Sequence, residues 1–171
     1  PPPPPPLHPP PPPHPPPHPF PTRRSSDLSI GAVEFDVQAS HADFVMADAH
    51  KWMMGPEGIA LFYCRKAVMD RLDLKQYGWH MLEDSTNYDS HEWEIAHSAR
   101  RFECGSPNMT GVHALHASMT LIEEVGMPVI EQLVLENSRF MIDFFQQRTG
   151  RYQLVTPEPG HRHAGIVTVR P

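Results

Sequence analysis

The stretch DFVMADAHKWMMGPEGIALFYC, Asp43 to Cys64, holds a lysine between two short apolar runs, just ahead of a Gly-Pro-x-Gly turn. Its two ends, DFVMADA (Asp43–Ala49) and GIALFYC (Gly58–Cys64), carry the β-branched and aromatic residues of short buried strands. Between them, Lys51 follows His50 and precedes Trp52, Met53 and Met54. Three roles are open to a lysine so placed. It can snorkel to the surface, as most lysines do. It can serve as a point charge for phosphate, although ADAHK lacks the Gly-rich loop that precedes a P-loop lysine. Or it can form a Schiff base, which needs a free amine and is helped by apolar neighbours that disfavour the ammonium.

Outward from this stretch the chain alternates strands and helices. RKAVMDRL, from Arg65, is expected to form a short surface helix, and residues 73–98, without period and rich in Asp and Ser, a long loop. TGVHALHASMTLIEEVG then places Val112, Leu115, Met119 and Ile122 at helical spacing, with Gly126 as the stop. A second helix starts at Pro128. Its expected stripe is Ile130, Leu133, Val134, Met141, Phe144 and Phe145, and Gly150 ends it. YQLVT and GIVTVR read as strands, so the whole is α/β.

Composition divides the chain. Of its 22 prolines, 16 lie in Pro1–Pro21, a tract that would form a polyproline II rod or a proline-rich interaction segment. HPFPTRRSSDL, His18 to Leu28, resembles the conceptual translation of a sequencing adapter, so residues 1–28 are set aside from the fold. The net charge is −6, and the leader's two arginines and one aspartate leave −7 for the rest. An acidic body gives no footprint for nucleic acid or an anionic membrane, and no apolar run reaches the roughly 18 residues of a span. Two distant cysteines, Cys64 and Cys104, argue against a disulfide scaffold or a zinc site and point to a reducing, cytoplasmic setting. His113 and His116 share a helix face, but nothing nearby completes a ligand set, and no metal is expected.

Several blocks in order resemble the class V aminotransferase family of pyridoxal-phosphate enzymes, which includes cysteine desulfurases and selenocysteine lyases. They are Asp43-Phe44, His50-Lys51-Trp52 and Gly55-Pro56-Glu57-Gly58, then YGWHM (Tyr77–Met81), then ARRFECGSPNMTGVHALHASMTLIEEVG, and HRHAGIVTVR near the end. The resemblance covers nearly all of residues 29–171. It implies a piece of a fold-type I enzyme: residues 29–126 from the large cofactor domain, and 127–171 forming a linking helix and the start of the small domain. It also implies pyridoxal 5'-phosphate as cofactor and an amino acid or related amine as substrate. Lys51 matches the lysine that carries the cofactor as a Schiff base and then moves a proton at the substrate Cα. His50 matches the histidine beside the cofactor phosphate. Ser106 stands where the family has threonine in Gly-Thr-Pro-Asn, whose hydroxyl reaches the phosphate of the neighbouring subunit's cofactor; this implies a homodimer of the full-length parent.

The same resemblance marks what departs from the pattern. The aspartate that protonates the pyridine nitrogen falls at Ser25, and the glutamine after it at Leu28, both within the adapter-like leader. Asp48 stands where the desulfurase branch carries a phosphate-binding serine, and is left unassigned. Arg101 is expected to pair within its own loop, with Glu103. Transamination is the default reaction. Desulfuration or selenocysteine lysis is the alternative, and a catalytically silent piece with a proline-rich interaction leader is the alternative from another class.

Overall fold

The computed structural model describes residues 29–156 and 163–171 and the backbone of Arg24–Ser25. The proline tract, the Ser25 and Leu28 side chains, and the start of HRHAGIVTVR lie outside the described residues.

Strand β1 (Arg24–Ser25) lies parallel to β2 (Phe44–Asp48), which pairs antiparallel with β3 (Ala60–Cys64). The register runs from Phe44 opposite Cys64 to Asp48 opposite Ala60. Alternation fixes the faces of β2. Val45 and Ala47 are buried while Met46, between them, is 47% exposed. The connection folds back on itself, because the amide of Ala49 donates to the Ile59 carbonyl at 3.1 Å. Both strands thus match the expected segments with ends trimmed by one or two residues.

After β3 comes α1 (Lys66–Met69), a single turn shorter than expected, with Val68 and Met69 buried. These two join Cys64 in a core cluster flanked by Phe44, Leu72 and Phe102. The Phe62 and Phe102 rings meet edge to face at 5.2 Å. Residues 73–98 do form a long irregular segment, pinned by a 3-10 turn at Trp79–Met81 and a bridge between Leu82 and Ile95. Met81 and Ala96 are its buried anchors. Arg100 holds the segment by donating to the Leu82 and Glu83 carbonyls at 2.7 and 2.6 Å.

Helix α2 (Met109–Val125) is capped by Asn108, whose Oδ1 accepts from the Gly111 amide at 3.0 Å. Gly126, with φ of 87°, ends α2 and at once begins α3 (Met127–Gln146), where Pro128 occupies the first turn. Leu115 and Ile122 of the expected α2 stripe are buried, but Val112 and Met119 are 41% and 42% exposed. In α3 the buried residues are Ser138 and Ile142, while Leu133, Met141 and Phe144 are exposed. Periodicity identifies residues that share a face; no described segment covers the outer part of these two. Helix α3 also stops ahead of Gly150: the Arg148 amide donates to the Phe145 carbonyl at 3.0 Å instead of continuing the helical ladder, while its guanidinium donates to the Phe144 carbonyl at 2.8 Å and lies over the Phe144 ring. Strands β4 (Gln153–Leu154) and β5 (Val169–Arg170) then pair antiparallel as a short ribbon.

Candidate active site

Lys51 sits at the head of the turn between β2 and β3. Its amide donates to the Asp48 carbonyl at 3.3 Å, and its carbonyl accepts from the Met54 amide at 3.1 Å. Gly55 closes the same turn by donating to the Ala49 carbonyl at 2.8 Å. That approach needs a glycine, since a Cβ on residue 55 would stand 2.8 Å from Ala49 Cβ and 3.1 Å from Leu115 Cδ1. Met54 adopts the left-handed region with φ of 55°, so two neighbouring residues reverse the chain within a very small space.

The apolar neighbours of the lysine turn to other contacts. Met53 is buried with Ala47, Ala49 and Leu115 in the main core cluster. Met54 is 57% exposed. Trp52 lies against Gly165, where an added Cβ would meet Cη2 at 2.3 Å. What faces the lysine is a carboxylate: Asp48 Oδ2 lies 3.0 Å from Lys51 Nζ, with the two side chains 42% and 31% exposed. Asp48 therefore turns toward the lysine. His50 is exposed beside Lys51 on the turn.

The second sequence block meets the turn through α2. Ser106 is exposed in the extended segment just ahead of Asn108. Asn108 Nδ2 donates to the Gly58 carbonyl at 3.2 Å, and Ser118 Oγ donates to the Met54 carbonyl at 2.9 Å. Sequence reading missed both residues. An Asn directly ahead of the helix, three before Gly111, was the available signal for a cap; nothing in the sequence marked Ser118. Arg101 corrects another expectation. Its Nη1 contacts Asp70 Oδ1 at 2.6 Å, beyond α1, and Glu103 instead lies 3.4 Å from His80 Nδ1. The guanidinium faces Asp70 because the 3-10 turn Ala99–Phe102 packs its Phe102 into the α1 cluster. Arg100 and Arg101 thus hold the protein's own backbone and carboxylate groups.

The donor set fits covalent capture of an aldehyde cofactor. A primary amine about a third exposed sits on a turn with fixed backbone, next to an exposed imidazole, and the Asp48 carboxylate that pairs with its ammonium has to release it before the free amine can add to a carbonyl. Lysine turn, flanking strand pair and following helix form one unit that presents the Lys51 amine at the end of the β2–β3 pair.

The model of the Aminotransferase class-V family matches residues 28–170, and the chain belongs to that family. It is 31% identical to a probable cysteine desulfurase of Pyrococcus abyssi over 144 residues, covering 82% of this chain and 34% of that one. Among solved structures it is similar to the apo cysteine desulfurase of Thermococcus onnurineus NA1, with a TM-score of 0.66 at 27% identity, over 85% of this chain and 35% of that one. It also shares the fold of the cystine C-S lyase C-DES solved with its product cysteine persulfide, with a TM-score of 0.70 at 21% identity, over 82% of this chain and 36% of that one. The family is one of pyridoxal-phosphate-dependent enzymes of fold type I, and the chain spans about a third of the length of these relatives. No helix among the described residues is long and apolar enough to cross a membrane.

Proposed function

We propose that the chain is the lysine-bearing part of a pyridoxal-phosphate enzyme that acts on an amino acid or related amine. The observation that carries this reading is Lys51 itself: its amine is reachable, and its turn is held by hydrogen bonds on both sides. When bound, the cofactor would supply an electron sink for breaking a bond at the substrate Cα or Cβ. Lys51 would hold it covalently and then move a proton at the substrate Cα. His50, exposed on the same turn, would hold its phosphate. Ser106 offers a hydroxyl to the phosphate of a partner subunit's cofactor, which makes the parent enzyme a homodimer with shared sites. Residues 29–126 belong to the cofactor domain and 127–171 to the linking helix and small domain, a division supported by the break at Gly126 and the separate β4–β5 ribbon. A buried, free Cys64 supports a reducing, cytoplasmic setting.

Within this chemistry, the names of the relatives favour a sulfur-containing amino acid over a simple transamination substrate. The first test is borohydride reduction of the chain in the presence of pyridoxal phosphate, read by peptide mass spectrometry. A pyridoxyl adduct at Lys51, absent from Lys51→Ala, is expected. No adduct at Lys51 under saturating cofactor would indicate a catalytically silent piece.

A further inference from the structure

We infer that Asn108 and Ser118 are positioning residues for Lys51, acting through the backbone of its turn; the inference rests on Lys51 being the cofactor lysine. Both belong to the α2 segment, yet each reaches out of it to a carbonyl of the Lys51–Gly58 turn. Ser118 Oγ donates to Met54 O at 2.9 Å, and the Met54 amide in turn donates to the Lys51 carbonyl at 3.1 Å. Asn108 Nδ2 donates to Gly58 O at 3.2 Å, at the far end of the turn where φ is 81°. Between these two ties, Leu115 packs so closely on Gly55 that a Cβ there would stand 3.1 Å from Cδ1. Helix α2 thus grips the turn at 54, 55 and 58, and the gripped residue 54 is the one bonded to Lys51. Asn108 also stands just after Ser106, so the segment expected to serve a partner's cofactor moves with the chain's own lysine turn.

The two polar ties are separable from helix stability, which gives them a test. Asn108 uses Oδ1 to cap α2 and Nδ2 to hold Gly58. Asn108→Asp keeps a good N-cap acceptor, removes the donor and sets a carboxylate against the Gly58 carbonyl. Ser118 also bonds the Ala114 carbonyl at 3.2 Å, and alanine there is the better helix former. Neither variant therefore weakens α2 as a helix, while each releases the turn.

The experiment uses the full chain, with Ser118→Thr as the variant that keeps the hydroxyl. Amide hydrogen exchange at Met54 and Gly55 reads the turn without cofactor. Acylation of Lys51 relative to Lys66 and Lys75, by an amine-reactive ester and mass spectrometry, reads where the amine is held. Borohydride capture of pyridoxal phosphate at Lys51 reads the proposed chemistry. In Ser118→Ala and Asn108→Asp we expect exchange at Met54 and Gly55 to rise about tenfold, the size set by one hydrogen bond. The acylation ratio and the capture rate are expected to shift several-fold, at unchanged far-ultraviolet helicity, with Ser118→Thr close to the wild type. Exchange and acylation ratios within twofold of wild type in both variants would overturn the inference. Should the wild-type chain capture no cofactor while exchange and acylation still respond, the cofactor reading fails and the grip on the lysine turn is upheld.

Discussion

Helix α2 has two sides in contact with the sheet region, and they are finished to different degrees. Toward the lysine turn, Leu115 is 4% exposed and meets Ala47, Ala49 and Met53 with no room to add a methyl at Gly55. Further along the helix, beside Val45 and Leu61 on that same sheet face, an open apolar cavity of about 840 Å3 is lined by Phe35, Leu61, Phe62, Met119 and Ile122. Leu61, Phe62 and Met119 are each around two-fifths exposed. The same helix, with the same apolar residue types, gives a closed joint on one side and an open wall on the other. The packing around the turn draws on more than these two segments, residues 44–64 and 108–122, since Ile30 lies against the same cluster and Gly31 against the Trp52 carbonyl.

The sharpest way to break that comparison is to truncate one residue on each side. Leu115→Ala removes buried methyls from a packed joint and is expected to cost about 2–5 kcal/mol. Met119→Gln, on the open side, is expected to stay within about 0.5 kcal/mol. Urea midpoints of the two variants measure the contrast directly. Equal losses would mean that both sides are packed alike.

A smaller effect tests how the far end of the chain bears on the turn. Gly165 lets the Trp52 ring in, with the Val134 Cγ1 close behind, and Ser138 Oγ fixes the adjoining bend by donating to the Ala164 carbonyl at 2.5 Å. Gly165→Val overpacks this contact and is expected to cost about 1–3 kcal/mol. In a Trp52→Ala background most of that cost should vanish, because the ring it strikes is gone. A double-mutant cycle in which the two changes simply add would separate Trp52 from Gly165.

These contacts also mark how far the sequence could be read. The strands around Lys51 were legible because each is short, apolar and bounded by glycine or aspartate, and Gly126 was legible as a helix stop because a positive φ suits it there. The open wall was not legible. The spacing of Val112 and Met119 says that they share a face with Leu115, and is silent on whether anything lies opposite. The environment of Lys51 was read only in part: Trp52 and the methionines looked like its apolar cover, whereas the pleat and the turn send Met53 into the core and bring Asp48 to the amine. Ties such as Ser118 to Met54 join residues far apart in sequence, where a lone serine on a helix carries no pattern.

The smallest expected effect concerns the second core cluster, at the other end of β3 from the lysine turn. Burial pushes the Cys64 thiol above its ordinary 9.0, against the opposing pull of the Arg101 guanidinium, with Asp43 adding to the rise and Arg65 to the pull. The unfolded chain releases this proton first as pH rises, so between the ordinary value and the raised one the native state holds more protons. Stability from this group is therefore complete below about pH 9 and declines as pH climbs through the raised value. Cys64→Ala removes the titration along with some packing, so the comparison lies in slopes rather than absolute stabilities. Urea midpoints between about pH 7 and pH 10.5 should fall more steeply for the wild type than for the variant above pH 9. Parallel slopes would place the thiol in a solvated setting and make the cluster around Cys64, like the wall beside Met119, an open one.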